Sequence, residues 1–184
     1  SKPLKEATEI TGPSAAKLWI SSTTEDADLF LVLGVFDPAG AEVVFQGAID
    51  PHTPVGQGWL RASHRKLDAA LSKPYRPYHT HDEKQPLTPG EAVELDVEIW
   101  PTSIVVPAGY TVGFTVRGKD YEYDDPTGGG EKLSNFKNEL KGCGPFLHND
   151  PRDRPPEIFG GDVTLHIGMD QAAYVLLPVI PPKN

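Results

Sequence analysis

From Val93 to Trp100 apolar and acidic residues alternate without a break: Val93, Leu95, Val97 and Ile99 against Glu94, Asp96 and Glu98. Successive side chains of an extended strand point to opposite faces, so this stretch predicts a strand with one face in a core and the other in water. Tyr110, Val112, Phe114 and Val116 repeat the pattern against Thr111, Gly113, Thr115 and Arg117, and Val163, Leu165 and Ile167 do so again. These read as half-buried antiparallel strands with the apolar set facing inward. Residues 29–36, Leu-Phe-Leu-Val-Leu-Gly-Val-Phe, are apolar on both faces, as a strand covered from both sides must be. Asp37-Pro38-Ala39-Gly40 then supplies a turn into 42–49. Segments 16–21, 57–63, 103–107 and 172–180 bring the total to roughly eight or nine strands. With 19 prolines and 18 glycines as punctuation and no strand–helix–strand rhythm, the chain predicts an all-β fold, two packed sheets in a jelly roll or similar sandwich.

Helices are minor in this reading. Residues 64–71 have room for a turn or two. Residues 132–142 space Leu133, Phe136 and Leu140 on one face before Gly142, which suits a helix C-terminal cap. That helix would lie inside a long polar excursion, 118–160.

A length of 184 residues suits one core, and the expectation is a single domain over 1–184. A formal charge of −9 and a pI near 5.1 argue against nucleic-acid and anionic-membrane surfaces, which need clustered Lys and Arg. Cys143 is the only cysteine, so neither an internal disulfide nor a thiolate metal cage can form, and a reduced, cytoplasmic setting is mildly favoured. Apolar runs fall short of a membrane span, which predicts a soluble chain. Self-association is left open.

His79 and His81 form a His-x-His pair, and on an extended segment two such rings point to one side, as metal ligands do. In cupin-like sandwiches a Glu follows the pair and a further His follows a Pro-x-Gly turn. Here Gln85 and Pro86 occupy the first place and Val112 the second, so half the ligand set is missing. Asp120, Glu122, Asp124 and Glu131 fall at positions 1, 3, 5 and 12 of a calcium-loop template, but Asp125 stands where the template needs Gly. The expectation is therefore no bound metal and no cofactor. No serine lies in a Gly-x-Ser-x-Gly elbow, and Ser63 and His64, being neighbours, should point apart. His166 reads as a surface residue. Trp59 and Trp100 lie opposite their strands' aliphatic faces, which suits either stacking on a sugar ring or burial against a neighbouring domain.

Several stretches together carry a resemblance: 7–40, opening Ala-Thr-Glu-Ile-Thr-Gly and closing Asp-Pro-Ala-Gly; 58–68, GWLRASHRKLD; 87–116, opening LTPGEAVELDVEIWPTSIVVPAG; and 174–180, YVLLPVI. In order and spacing the chain resembles the C-terminal domain of X-Pro dipeptidyl-peptidase and cocaine-esterase-like serine hydrolases. The resemblance implies a jelly roll of the galactose-binding-like type. It also implies that the Ser-Asp-His triad belongs to an upstream α/β-hydrolase domain, so that no catalytic residue carries over to this chain. From 118 to 160 the resemblance thins to Tyr123 and Thr127-Gly128-Gly129.

The expectation is thus a non-catalytic accessory domain whose partner is the α/β-hydrolase domain of its parent. Its contact surface is expected at Trp59, Tyr75, Tyr78, His79 and His81. The alternatives are a stand-alone carbohydrate or small-ligand module, and a metal-dependent sandwich enzyme using His79 and His81.

Overall fold

A computed structural model describes residues 1–45, 52–123, 147–168 and 170–182. The described residues form two antiparallel sheets with almost no helix. In the first sheet β1 (Thr8–Ser22) is central, flanked by β5 (Val93–Val106) on one side and by β7 (Val163–His166), β8 (Tyr174–Leu176) and β9 (Val179–Ile180) on the other. In the second, β2 (Asp28–Phe36) is central, with β3 (Glu42–Val43) and β4 (Gly56–Arg61) on one side and β6 (Thr111–Arg117) on the other. The inward faces meet in two apolar clusters. One gathers Leu18, Ile20, Leu29, Leu31, Leu95, Val97 and Ile99, and the other Ile10, Leu33, Val35, Val55 and Val106. Each such side chain contributes about 1.5–3 kcal/mol through its removal from water.

Alternation in β5 is as the sequence predicts, but the strand does not stop at Trp100. Ser14 faces Ile99 and Gly12 faces Thr102, so Pro13 alone on β1 stands against Trp100 and Pro101 on β5. The extra residue is a β-bulge. It shifts the inward set from odd to even positions, and Thr102 and Val106 are buried where Leu95, Val97 and Ile99 were before it. Pro101 is tolerated because β5 pairs only with β1 among the described residues and is an edge strand. Segments 93–100 and 103–107, expected as two strands, are therefore one.

The two-sided burial of β2 has a concrete cause. Leu29, Leu31, Leu33 and Val35 face the sandwich core, while Phe30 and Val32 face outward yet are buried. The described ends of the 118–160 excursion fold back over that outer face. His148 lies 5.7 Å from the Phe30 ring and 6.4 Å from that of Trp59. The buried Asp120 carboxylate accepts hydrogen bonds from the His148 backbone N–H (2.6 Å) and from Nδ1 (2.9 Å), which fastens the two ends together. Asp120, first in the acidic run that only partly matches a calcium loop, is thus a buried structural acceptor rather than a solvated acid. Asp124, Glu131 and the expected helix at 132–142 lie outside the described residues. A short helix, α1 (Pro156–Phe159), closes the excursion.

One expectation fails. Val163, Leu165 and Ile167 are not buried: they are 42%, 37% and 80% exposed. Leu165 faces Ile20 in register and so lies on the inward side of its sheet, but β7 is the outermost strand there and is not covered by any of the described residues. His166 is more engaged than a surface residue, with Nε2 2.8 Å from Ser21 Oγ.

Candidate functional site

The two sheets come together along β4 and β5. A Cβ built on Gly58 would lie 2.1 Å from the Glu98 carbonyl oxygen, so only glycine permits this backbone approach. On the outside of that seam Trp59 and Trp100 meet edge to face, 5.2 Å apart. Strand alternation aims both outward, Trp59 between the buried Gly58 and Leu60 and Trp100 directly after the buried Ile99. Trp100 remains 63% exposed.

Beside the pair lies a cavity of about 350 Å³ whose walls include Trp59, Trp100, Glu98, His64, His79 and His81. His64 ends a 3-10 turn, Ala62–His64, that follows β4 directly and is held by Ser63 N–H donating to Asp26 (2.9 Å). His79 and His81 come from a loop anchored to the same turn region. His79 bridges to Leu67, Thr80 N–H donates to the Lys66 carbonyl (3.1 Å), and the Lys66 ammonium pairs with Asp82 (3.2 Å) and Glu83 (2.9 Å). That ammonium, with Thr80 on Asp82, holds both carboxyls below the usual carboxylate range.

The His-x-His pair does not act as one chelate. His81 turns over at φ 53°, the only non-glycine residue with positive φ among those described, and its Nδ1 lies 3.1 Å from His64 Nδ1. His79 stays inside. Burial lowers its pKa first and His81 lowers it further, while a hydrogen bond to the Asp96 backbone opposes them. Its Nε2 is buried with no hydrogen-bond partner among the described residues. Among those residues no three His, Cys, Asp or Glu side chains converge to hold a metal ion.

At the other end of the cavity Asp28 receives two guanidinium groups. Arg61 donates through Nε (2.9 Å) and Nη2 (3.1 Å), and Arg154 Nε is 2.6 Å away. Arg61 also reaches Asp153 and lies 4.4 Å over the Phe159 ring, so it ties α1 and its loop to the sheet. Asp28 raises the Arg61 pKa further, and Arg61 keeps Asp153 below the carboxylate range. Asp28 is thus paired in charge with both guanidinium groups, although Arg154 Nε, close as it is, is not aligned for a hydrogen bond.

Of the residues singled out from sequence, Trp59, His79 and His81 line this one cavity. Tyr75 and Tyr78 do not. Both are 48% exposed on a neighbouring excursion, Tyr75 at its tip between the bridged Lys73 and Arg76. Sequence reasoning missed His64, Glu98, Arg61 and His148 as wall residues. His64 follows Ser63 in sequence, but Ser63 Oγ is buried with no hydrogen-bond partner among the described residues, so the two form no Ser–His pair.

Comparison with known proteins follows the same line. Residues 1–168 match the profile of the X-Pro dipeptidyl-peptidase C-terminal non-catalytic domain. A Mycobacterium bovis protein bearing a serine-esterase name is 34% identical over 125 residues, 65% of this chain and 18% of that protein. A CocE/NonD family hydrolase from Staphylococcus aureus, 25% identical, superposes with a TM-score of 0.75 over 97% of this chain and 29% of its own. An α-amino acid ester hydrolase, 15% identical with a TM-score of 0.59 over 97% of this chain and 24% of its own, shares the fold. The chain thus spans less than a third of each of these relatives. The match supports an accessory domain, and neither the stand-alone ligand module nor the metal-dependent enzyme. Since it extends from the first residue through β7, the chain belongs to the family of C-terminal non-catalytic domains found in X-Pro dipeptidyl-peptidases and related hydrolases.

Proposed function

We propose that this domain packs through its closed β4–β5 seam against the α/β-hydrolase part of a larger serine hydrolase acting on esters or X-Pro peptides, and there helps to wall the substrate cleft. Trp100 carries the reading. A large aromatic with most of its surface in water, braced by a second tryptophan and bordered by a cavity, is the surface a partner domain covers. Trp59, His79 and His81 supply the centre of the contact, with Tyr75 and Tyr78 on its rim. The rigid backbone contact beneath suits a surface that must hold two domains in fixed relation.

The test is amide hydrogen exchange in the isolated 184-residue chain and in the full-length parent. Protection of 57–61, 75–81 and 98–100 in the parent is expected. Equal exchange there, with protection elsewhere, would place the contact on another face.

A further inference from the structure

We propose that His64 and His81 form a two-imidazole site for a borderline divalent cation, Cu²⁺, Ni²⁺ or Zn²⁺, which clasps the 75–84 loop to the end of β4. In the isolated domain His81 is exposed and the site is accessible, whereas the contact proposed above would cover it.

Three observations carry it. First, the two Nδ1 atoms are 3.1 Å apart. If each lies about 2.0–2.1 Å from a shared ion, that separation subtends about 100° at the metal, between the square and tetrahedral angles. Second, His81 reaches this position through a left-handed backbone, which is unfavourable for a non-glycine residue. One hydrogen bond between neutral imidazoles offsets that only weakly, whereas two metal–nitrogen bonds offset it more strongly. Third, both ligand-bearing segments are fixed in advance. His64 sits on a turn pinned by Asp26, and the loop is held by the Lys66 ion pairs. Little ordering therefore remains to be done on binding.

Imidazole nitrogen selects borderline transition ions over Ca²⁺ and Mg²⁺, which prefer oxygen. The two rings form one edge of the coordination shell. Water completes it, His81 being exposed and both rings lining the cavity. His79 stands behind with its ring 6.0 Å from that of His81.

The test uses the untagged 184-residue chain, stripped with a chelator and titrated with Cu²⁺ by electron paramagnetic resonance and with Zn²⁺ and Ni²⁺ by calorimetry. One ion per chain, micromolar affinity or tighter and a Cu²⁺ spectrum showing two nitrogen ligands are expected. His64→Ala and His81→Gly should each weaken binding at least tenfold, while His166→Asn leaves it unchanged. His81→Gly guards against misfolding as the cause, because glycine accepts φ 53° and its thermal midpoint should not fall. Affinity no better than millimolar, or unaltered by both His64→Ala and His81→Gly, would overturn the proposal.

Discussion

The two long edges of the sandwich are built in opposite ways. Along β4 and β5 the sheets meet backbone to backbone, Gly58 against the Glu98 carbonyl, and the tryptophan pair seals the outside. Along β6 on one sheet and β7, β8 and β9 on the other no such backbone contact is made among the described residues. Phe114, Val116 and Val175 are only partly buried there, and Val163, Leu165, Ile167 and Val179 stand in solvent. One edge is fixed by a steric requirement with a single solution. The other rests on non-directional apolar contact, which tolerates change. A cavity with placed side chains is found beside the first edge, where the backbone under it cannot drift.

Gly58→Ala is the most severe way to break this difference. The new methyl would meet backbone, which cannot rotate aside, so the seam must part. The expected loss is about 3 kcal/mol, read as a lowered urea midpoint, with quenching of the Trp59–Trp100 pair altered in the folded state. A change under 1 kcal/mol would mean that the contact yields easily.

Asp28→Asn comes next. The carboxylate is 9% exposed and receives Arg61 and Arg154, so its removal leaves two guanidinium groups short of a partner beside the cavity. A loss of about 2 kcal/mol is expected from chemical denaturation.

His79 sharpens the comparison through pH. Its pKa is lowered on folding, mainly by burial, so below its unfolded value of about 6.5 the unfolded chain binds a proton that the folded chain resists. Stability contributed by the neutral ring is complete above that value and is lost as pH falls toward the folded pKa. His79→Asn should flatten the dependence of the thermal midpoint on pH below about 6.5, while His166→Asn should not. On the open edge Ile167→Thr should change stability by no more than about 0.5 kcal/mol, since its side chain is 80% exposed.

The same contrast explains what was legible in the sequence. Alternation in 93–99 and the apolar run 29–36 report burial directly, and both strands and their faces follow from it. The family resemblance points to a non-catalytic domain, as the profile match over 1–168 states. Alternation in 163–167 misleads because a period of two fixes which side a residue faces, not whether anything covers that side. Gly12-Pro13 and Pro101 look like strand ends, yet β1 and β5 run through them because their irregularities fall opposite each other. The cavity was half visible. Trp59, His79 and His81 stand out by type and spacing, whereas His64, Glu98 and His148 come from three separate segments that only the fold brings together.

The account's central claim is that bond cleavage is not performed by these residues. It is tested most directly by incubating the purified 184-residue chain with Ala-Pro and Gly-Pro chromogenic substrates and a p-nitrophenyl ester, with and without a serine-directed fluorophosphonate. The account predicts no turnover above the buffer rate and no covalent labelling. Turnover abolished by the fluorophosphonate, with one serine of this chain labelled, would contradict it.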